Sequence, residues 1–350
     1  MNTLGQSTAR PARDSLKYGV LGAGLIGTYL GGRLASVGRD VVMVGRPRIR
    51  GEIAKHGLRL THYAKPEVSA ERFAYETDMS ALGGCDVILM CVKSPATEEV
   101  GRQLAEVLKG SPLVVCFQNG VSNAQRLEQI LTGMPVLPGL VPFNVASPEP
   151  GRFHQGTEGG LYIRAFSDQR LMALKAALEE SGIDVDLRAP MRPLLWGKLL
   201  MNLNNPLNAL WGGPLRAGLM QWNYRRVLAK MITEALAVLE AAEIKPESPA
   251  KIGPQWLPWI LRLPTPLYGM LMAGLLKIDP KARSSMLEDL ELGRPSENAY
   301  LQGEIIDLGR RFGVSVETNR RVAEAVEAAF AAGASPKLDG DAMARRFLRR

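Results

Sequence analysis

The sequence KYGVLGAGLIG, residues 17–27, decides the fold class of this chain. A short apolar run leads into three glycines spaced G-x-G-x-x-G, and a helical pattern, LIGTYLGGRLASVG, overlaps and continues it. In a strand–turn–helix unit the first glycine permits a tight turn, the second lets a pyrophosphate approach the backbone, and the third lets helix and strand pack closely. A dinucleotide is therefore predicted to bind at Gly22-Ala23-Gly24-Leu25-Ile26-Gly27. The alternative is a glycine-rich turn without a ligand.

Three more apolar runs have the character of buried strands. They are DVVMVGR (40–46), CDVILMCVK (85–93) and PLVVCFQNG (112–120), with a helical pattern between the last two. Apolar strands that alternate with helices are typical of a parallel sheet covered on both faces. We therefore predict an α/β, Rossmann-type domain with a doubly wound parallel sheet over residues 16–188. Residues 1–15 are predicted to be a disordered tail.

The pattern changes near residue 188. Beyond it the chain carries segments with apolar residues at three- and four-residue spacing, which is typical of amphipathic helices. Examples are LLWGKLLMNLNN, YRRVLAKMITEALAVLEAAE and NAYLQGEIIDLGRRFG. An all-α C-terminal domain is predicted over residues 189–350, and a chain of 350 residues is long enough for two separate cores.

Composition and charge exclude several classes of protein. The chain is 46% hydrophobic and 22% charged, which is typical of a globular protein, and it carries a formal net charge of +8. No nucleic-acid-binding motif accompanies the basic charge, so no nucleic-acid partner is predicted. The three cysteines fit neither a disulfide framework nor a metal site. With no apolar signal segment at the amino terminus, a cytoplasmic location is expected.

One apolar segment, WLPWILRLPTPLYGMLMAGLL (256–276), has the length of a membrane span. It contains Arg262 together with Pro258, Pro264 and Pro266, which interrupt a continuous helix. We therefore expect a buried or interface-forming segment and no membrane span. A face of a homodimer and a cover over the core are both open possibilities.

The end of the second predicted strand indicates the type of cofactor. Dinucleotide sites for NAD usually place a carboxylate there to bind the ribose 2′-hydroxyl. This chain has Gly45-Arg46-Pro47-Arg48, and no carboxylate comes before Glu52. Because a guanidinium can pair with a 2′-phosphate, NADP(H) is predicted. The alternative is a solvated arginine cluster.

These residues, taken with QNG at 118–120, resemble the ketopantoate reductase (2-dehydropantoate 2-reductase) family. The resemblance extends to KLLMN (198–202) followed by NP (205–206), and to RSSMLED (283–289) followed by GRPSE (293–297). It implies NADPH-dependent reduction of 2-dehydropantoate to pantoate in pantothenate and coenzyme A biosynthesis, with an active site between the two domains. Departures from the family pattern at Pro206, Ser296 and Ala299 bear on the substrate.

The resemblance also assigns site residues by position. It implies that Lys198 and Glu297 are catalytic, and that a small 2-keto acid binds at Asn119, Asn202, Asn205 and Ser285. It places Arg46, Lys93, Asn119 and Glu297 at the cofactor. The choice between Asn204 and Asn205 as the asparagine that faces the substrate stays open. No metal is implied.

The residues support a reductase on chemical grounds as well. Hydride addition to a ketone builds negative charge on oxygen, so the catalyst must donate a proton or a strong hydrogen bond. On one continuous helix, Lys198, Asn202 and Asn205 would share a face, with Lys198 as that donor. Glu297 is its expected partner, and the alternative is a surface lysine with capping asparagines. Without the resemblance, Ser285 is expected to be only a helix N-cap.

Two other functions remain possible from the sequence. One is a paralogous enzyme that acts on a different small keto or hydroxy acid, or on an opine or glycerol-phosphate type of substrate. The other is a non-catalytic NADP(H)-binding sensor, which we would expect to lack Lys198 or Glu297. Both residues are present.

Overall fold

The computed structural model describes residues 15–249, 252–275 and 282–348, which form two compact units. The first unit comprises the chain up to Val92, with residues 100–117 and 128–187. The second comprises residues 93–99, residues 118–127 and the chain from Arg188 onward. Apart from Ser15, the predicted disordered tail lies outside the described residues.

The first unit contains the strands, and five helices lie between them in the chain. The strands are β1 (Lys17–Leu21), β2 (Asp40–Val44), β3 (Leu58–His62), β4 (Lys65–Ala70), β5 (Ala74–Glu76), β6 (Val87–Met90), β7 (Leu113–Cys116), β8 (Val136–Leu140), β9 (Val145–Glu149), β10 (Arg152–Gln155), β11 (Leu161–Arg164) and β12 (Val185–Arg188). The helices are α1 (Leu25–Ser36), α2 (Pro47–His56), α3 (Thr97–Val107), α4 (Asn123–Ile130) and α5 (Gln169–Glu180).

The main sheet confirms the predicted Rossmann-type α/β fold. Its eight strands have the order β12-β11-β8-β7-β6-β1-β2-β5, so the six strands from β5 to β8 follow the 3-2-1-4-5-6 order of dinucleotide-binding sheets. These six pair in parallel, whereas β11 pairs antiparallel with β8, so the sheet is mixed at one side. Strands β1, β6 and β7 are almost wholly buried, which explains their continuous apolar character.

A second, four-stranded sheet, β4-β3-β10-β9, was not predicted. Strands β4 (KPEVSA) and β9 (VASPE) are mostly exposed and polar. No apolar run marks such strands in a sequence, because their pairing depends on distant partners rather than on a buried face. Strand β10 joins the two hairpins by pairing in parallel with β3.

The second unit is helical, as predicted. After α5 its helices are α6 (Arg192–Asn202), α7 (Asn204–Trp211), α8 (Leu215–Leu219), α9 (Trp222–Ala241), α10 (Leu257–Leu261), α11 (Thr265–Leu275), α12 (Ser285–Glu291), α13 (Gln302–Phe312), α14 (Glu317–Ala332) and α15 (Gly340–Phe347). Their apolar faces meet in one core, in which Leu200, Tyr224, Met231 and Val326 are fully buried.

The expectation of one continuous helix through Lys198, Asn202 and Asn205 is wrong. Helix α6 ends at Asn202 and α7 begins at Asn204. Pro206 explains the break, because it has no N–H to donate to the Asn202 carbonyl and its ring crowds that group. The argument that the three residues share one helical face therefore does not apply.

The prediction that Ser285 is a helix N-cap is also wrong, because the cap lies one residue earlier. Ser284 is the N-cap of α12, and its hydroxyl accepts a hydrogen bond from Leu287 N at 3.2 Å. Ser284 is buried, whereas Ser285 is the first helical residue and is exposed. The cap is fixed by tertiary contact, since Asn208 Oδ1 accepts a hydrogen bond from Ser284 N at 2.9 Å.

The apolar segment 256–276 folds as two short helices, α10 and α11, over its described part. Leu261 and Tyr268 are buried, while Trp259 and Met270 are 62% and 74% exposed. Arg225 is fully buried and donates hydrogen bonds to the carbonyls of Leu261 and Leu263, which fixes the turn between the helices. Within the described residues, no helix has both the length and the apolar character needed to cross a membrane.

Candidate active site

In the loop between β1 and α1, each of the three glycines is needed for a different steric reason. Gly22 has φ +88°, and a Cβ there would lie 2.5 Å from Val92 N. A Cβ on Gly27 would lie 2.5 Å from the Gly22 carbonyl oxygen, so a side chain would separate the helix from the turn. A Cβ on Gly24 would meet only the Gly22 oxygen, at 3.9 Å. The space beside Gly24 is open, as close approach of a ligand requires.

The loop is held rigidly from the sheet side. Gly22 N and Ala23 N both donate hydrogen bonds to the Val44 carbonyl, at 3.0 and 2.8 Å. The Tyr75 hydroxyl donates to the Ala23 carbonyl at 2.6 Å. The amino end of the 12-residue helix α1 follows directly, and its first N–H groups and partial positive charge suit a pyrophosphate.

Arg46 follows the last residue of β2 by two positions and is the N-cap of α2. It is exposed. Its neighbours Arg48 and Arg50 form ion pairs with Glu52 and Glu76. Arg46 forms no ion pair with any described residue, so its guanidinium is available to an anionic ligand. The loop and Arg46 together fit a dinucleotide that carries a 2′-phosphate.

In the second unit, Lys93 joins two buried carboxylates. Its Nζ lies 2.8 Å from Asp289 Oδ2 and 3.1 Å from Glu297 Oε2. The side chains of Asp289 and Glu297 are 3% and 7% exposed, while that of Lys93 is 39% exposed. Arg294 adds a second cation, 3.2 Å from Asp289 Oδ1. The two cations offset the desolvation cost of burying two carboxylates side by side.

The other oxygen of Glu297 is bound to the backbone. Glu297 Oε1 accepts a hydrogen bond from Ser94 N at 3.1 Å. The Ser94 hydroxyl donates in turn to the Asn119 carbonyl at 2.9 Å, and Asn123 Nδ2 donates to the same carbonyl at 2.5 Å. The backbone of the QNG turn is thereby fixed to the segment that carries Lys93.

Lys198 lies on α6 one residue after Gly197, where the helix passes very close to another segment. A Cβ on Gly197 would lie 1.7 Å from the Glu247 carbonyl oxygen, so only glycine permits this packing. Lys198 keeps intermediate exposure as a residue, but its ammonium group is closely surrounded by protein. Burial lowers the pKa of Lys198 to about 8, while the negative charge of Glu297 opposes that shift.

The pKa values of the two lysines that interact with Glu297 are thus shifted in opposite directions. Burial also disfavours the charged form of Lys93, but the adjacent charges of Glu297 and Asp289 outweigh it and raise the pKa of Lys93. Lys93 is therefore a permanent cation, whereas Lys198 can lose its proton near neutral pH. Groups whose environments separate their pKa values in this way are typical of acid–base sites.

The predicted asparagines and Ser285 lie around the same helices. Asn202 is the last residue of α6, and Asn205 lies in the first turn of α7. The Asn205 carbonyl accepts a hydrogen bond from Ser284 Oγ at 3.4 Å, which links α7 to the start of α12. Asn204 Oδ1 accepts a hydrogen bond from the Tyr224 hydroxyl at 2.8 Å. The side-chain oxygen of Asn204 is thus bonded to Tyr224, which favours Asn205 as the asparagine available to a ligand.

Two family models match the chain over most of its length. Residues 18–168 match the family described as "Ketopantoate reductase PanE/ApbA", and residues 191–330 match "Ketopantoate reductase PanE/ApbA C terminal". The chain belongs to the ketopantoate reductase family. It is accordingly an NAD(P)-dependent oxidoreductase that acts on CH–OH groups, in a family that is NADPH-dependent.

Individual relatives agree with this assignment. The 2-dehydropantoate 2-reductase of Halobacterium salinarum is 26% identical over 322 residues, which cover 89% of this chain and 97% of the relative. A ketopantoate reductase structure from Ralstonia eutropha has a TM-score of 0.77 and 28% identity, with 91% of this chain and 99% of that one covered. The fold is also that of D-mandelate dehydrogenase with NADH and anilino(oxo)acetate, at a TM-score of 0.75, 18% identity and coverage of 91% and 99%.

Asp289, Ser94 and Asn123 belong to the network around Glu297, and none of the three was predicted from the sequence to have a role in the site. Asp289 is the last residue of the RSSMLED motif (283–289), and its position on α12 could have indicated that its carboxylate is buried. It occupies the buried face of the helix with Met286 and Leu290, where a carboxylate needs a partner. Ser94 and Asn123 offered no such signal, because Ser94 binds Glu297 through its backbone N–H and both side chains bind the Asn119 carbonyl, contacts that do not depend on a local sequence pattern.

The predicted site residues are divided between the two units. The glycine loop and Arg46 belong to the first, and Lys93, Asn119, Lys198, Ser285 and Glu297 belong to the second. The ammonium group of Lys93, predicted to lie at the cofactor, is bound by Asp289 and Glu297. Its contact with a cofactor therefore stays a prediction. Among the described residues, no group of three or more His, Cys, Asp or Glu side chains could hold a metal ion.

Proposed function

We propose that this chain reduces 2-dehydropantoate to pantoate with NADPH, as a step in pantothenate and coenzyme A biosynthesis. The observation that carries the proposal is the position of Glu297, which is held by Lys93 at 3.1 Å and by Ser94 N at 3.1 Å and whose charge acts on the enclosed ammonium group of Lys198. The Halobacterium relative supports this choice of substrate, because it is a 2-dehydropantoate 2-reductase and this chain matches 97% of its length.

The cofactor, when bound, supplies the hydride that reduces the ketone carbon. The glycine loop and the amino end of α1 would hold its pyrophosphate, and Arg46 would pair with its 2′-phosphate. No carboxylate lies at the end of β2 to bind a free 2′-hydroxyl. This arrangement favours NADPH over NADH.

Lys198 would donate the proton. With a pKa of about 8, its Nζ is mostly protonated at pH 7 and would release a proton to the alkoxide that forms on the substrate oxygen. Glu297 stabilises the charged form of Lys198 and is held in place by Lys93 and Ser94. Asn119, Asn202, Asn205 and Ser285 would bind the polar groups of the 2-keto acid.

A second candidate is a paralogous enzyme for another 2-keto acid. Departures from the family pattern at Pro206, Ser296 and Ala299 lie in the substrate motifs, and the structural likeness to D-mandelate dehydrogenase favours an aryl-substituted acid as the competitor.

One experiment separates these candidates. NADPH oxidation is followed by absorbance with 2-dehydropantoate, phenylglyoxylate and pyruvate, for the native chain and for Lys198→Ala. We expect kcat/KM for 2-dehydropantoate to exceed the others by about tenfold or more, with every activity lost in the variant. Preference for phenylglyoxylate would establish the paralogous function. Tight NADPH binding without turnover of any acid would indicate a non-catalytic NADP(H)-binding protein.

A further inference from the structure

A cavity of about 560 Å³ lies within the helical unit and shares no lining residue with the candidate active site. Its walls come from α9, the end of α10, the start of α14 and the last turn of α15. The volume is within the range of small-molecule sites, which is about 300–1,000 Å³. The side chains that define its chemistry are Trp222, Arg226, Lys230, Arg262, Arg321 and Phe347.

Two of the four cations in the lining have only neutral partners. Arg226 donates a hydrogen bond to Asn223 Oδ1 at 3.0 Å, and Arg262 donates to Thr233 Oγ1 at 3.2 Å. Neither guanidinium forms an ion pair with a carboxylate of the described chain. Arg226 and Lys230 lie four residues apart on α9, so they occupy the same face of that helix.

The carboxylates of the lining are committed to structural roles. Glu234 is 6% exposed and accepts hydrogen bonds from Thr318 N and Asn319 N, at 3.2 and 3.1 Å, at the start of α14. Glu317 forms ion pairs with Arg320 and Arg321, each at 2.7 Å. The lining therefore has four cations against two engaged carboxylates, and it attracts anions.

An aromatic side chain lies beside these charges. Trp222 is 41% exposed and lines the cavity together with the buried ring of Phe347. The Arg225 guanidinium carbon lies 5.6 Å from the centre of the Trp222 ring. A partly exposed indole next to cations suits a planar ring that is attached to anionic groups.

We propose that this cavity binds a small molecule with two or more phosphate groups and a planar ring, that is, a ligand of the nucleotide class. Arg226 and Arg262 would bind the phosphates with paired hydrogen bonds, Lys230 would add a point charge, and Trp222 would stack on the ring. The site is separate from the proposed reductase function, because it uses none of the residues assigned to the cofactor or the keto acid.

Calorimetric titration of the full chain tests the proposal, with saturating NADP+ present so that the dinucleotide site is filled. The probes are ATP, inorganic tripolyphosphate and adenosine. We expect saturable binding of ATP, weaker binding of tripolyphosphate and no binding of adenosine. Arg226→Gln/Arg262→Gln should weaken ATP binding by about tenfold or more, and Arg226→Lys/Arg262→Lys by less. Trp222→Leu should remove the advantage of ATP over tripolyphosphate.

Arg310→Gln is the matched control, since Arg310 is 76% exposed on α13 and lies outside the cavity. It should bind ATP as the native chain does. Thermal unfolding of each variant establishes that it is folded. The proposal would be overturned if neither ATP nor tripolyphosphate bound saturably, or if the Arg226→Gln/Arg262→Gln variant bound ATP as tightly as the native chain. Binding of single-stranded DNA or anionic vesicles through the same arginines when ATP does not bind would also overturn it.

Discussion

Glu297 Oε2 lies 3.1 Å from Lys93 Nζ, and this ion pair fixes the position of the carboxylate that acts on Lys198. The second oxygen of Glu297 is held by Ser94 N, so the carboxylate has little freedom to rotate. Lys93 thus holds the group that adjusts the pKa of Lys198. A group held in this way keeps its electrostatic effect constant during the reaction.

Replacement of Lys93 tests this relationship through stability. Lys93→Met removes one cation from two buried carboxylates, and we expect the free energy of unfolding to fall by about 2–3 kcal/mol. The figure is below that of a fully buried pair, because the Lys93 side chain is 39% exposed and Arg294 still neutralises Asp289. Urea denaturation measures it. Arg310→Met, which removes an exposed ion pair with Asp307, is the control and should cost less than about 1 kcal/mol.

The pKa of Lys198 predicts the pH dependence of the reaction. Reduction needs the protonated amine, which is lost as the pH rises through about 8, so kcat for reduction should fall above that pH. Oxidation of the product needs the neutral amine, so its rate should rise over the same range. Lys198→Ala should lower kcat by on the order of 100-fold and leave NADPH binding nearly unchanged. A flat profile through pH 9 would contradict the role of Lys198.

Glu297→Gln shifts that profile in a defined direction. The Glu297 charge raises the pKa of Lys198 against the effect of burial, so its removal should move the alkaline loss of activity to lower pH. Rates of reduction measured from pH 6 to pH 9 give the midpoint for each enzyme. An unchanged midpoint would mean that Glu297 does not act on Lys198. Because we propose that the two residues act as a unit, the double variant Lys198→Ala/Glu297→Ala should be little worse than Lys198→Ala alone.

Arg46 predicts the preference for one cofactor. Arg46→Ala removes the proposed charge-assisted contact with the 2′-phosphate, so NADPH affinity should fall by about 1.5–3 kcal/mol while NADH affinity changes little. Fluorescence titration with both cofactors measures this. Arg48→Ala is the neighbouring control, since Arg48 is paired with Glu52. Equal affinity of the native chain for NADH and NADPH would show that Arg46 does not select the cofactor.

The glycine loop offers a matched pair of substitutions. A methyl group on Gly24 meets open space, so Gly24→Ala should fold normally and weaken NADPH binding by about tenfold or more. A methyl group on Gly27 would lie 2.5 Å from the Gly22 oxygen, so Gly27→Ala should lose about 1–3 kcal/mol of stability. Thermal unfolding with and without NADPH separates the two effects. Normal NADPH binding by Gly24→Ala would exclude the loop as the phosphate site.

The sequence determined the parts of this protein that depend on local pattern. Continuous apolar runs at β1, β6 and β7 required a buried parallel sheet, the glycine spacing at residues 22–27 required a strand–turn–helix loop, and helical periodicity after residue 188 required a second, helical domain. Each of these follows from backbone geometry and burial within a few residues, so distant contacts were not needed to predict it.

Only the tertiary structure decided which charges meet. Lys93 and Asp289 are 196 residues apart in sequence, and no local pattern pairs them, yet their atoms lie 2.8 Å apart. The N-cap at Ser284 and the bonding of Asn204 to Tyr224 likewise depend on helices that are distant in sequence. The charge of a lysine is set by how much water it loses and which carboxylates surround it. Packing therefore explains why the pKa of Lys93 is raised while that of Lys198 is lowered to about 8.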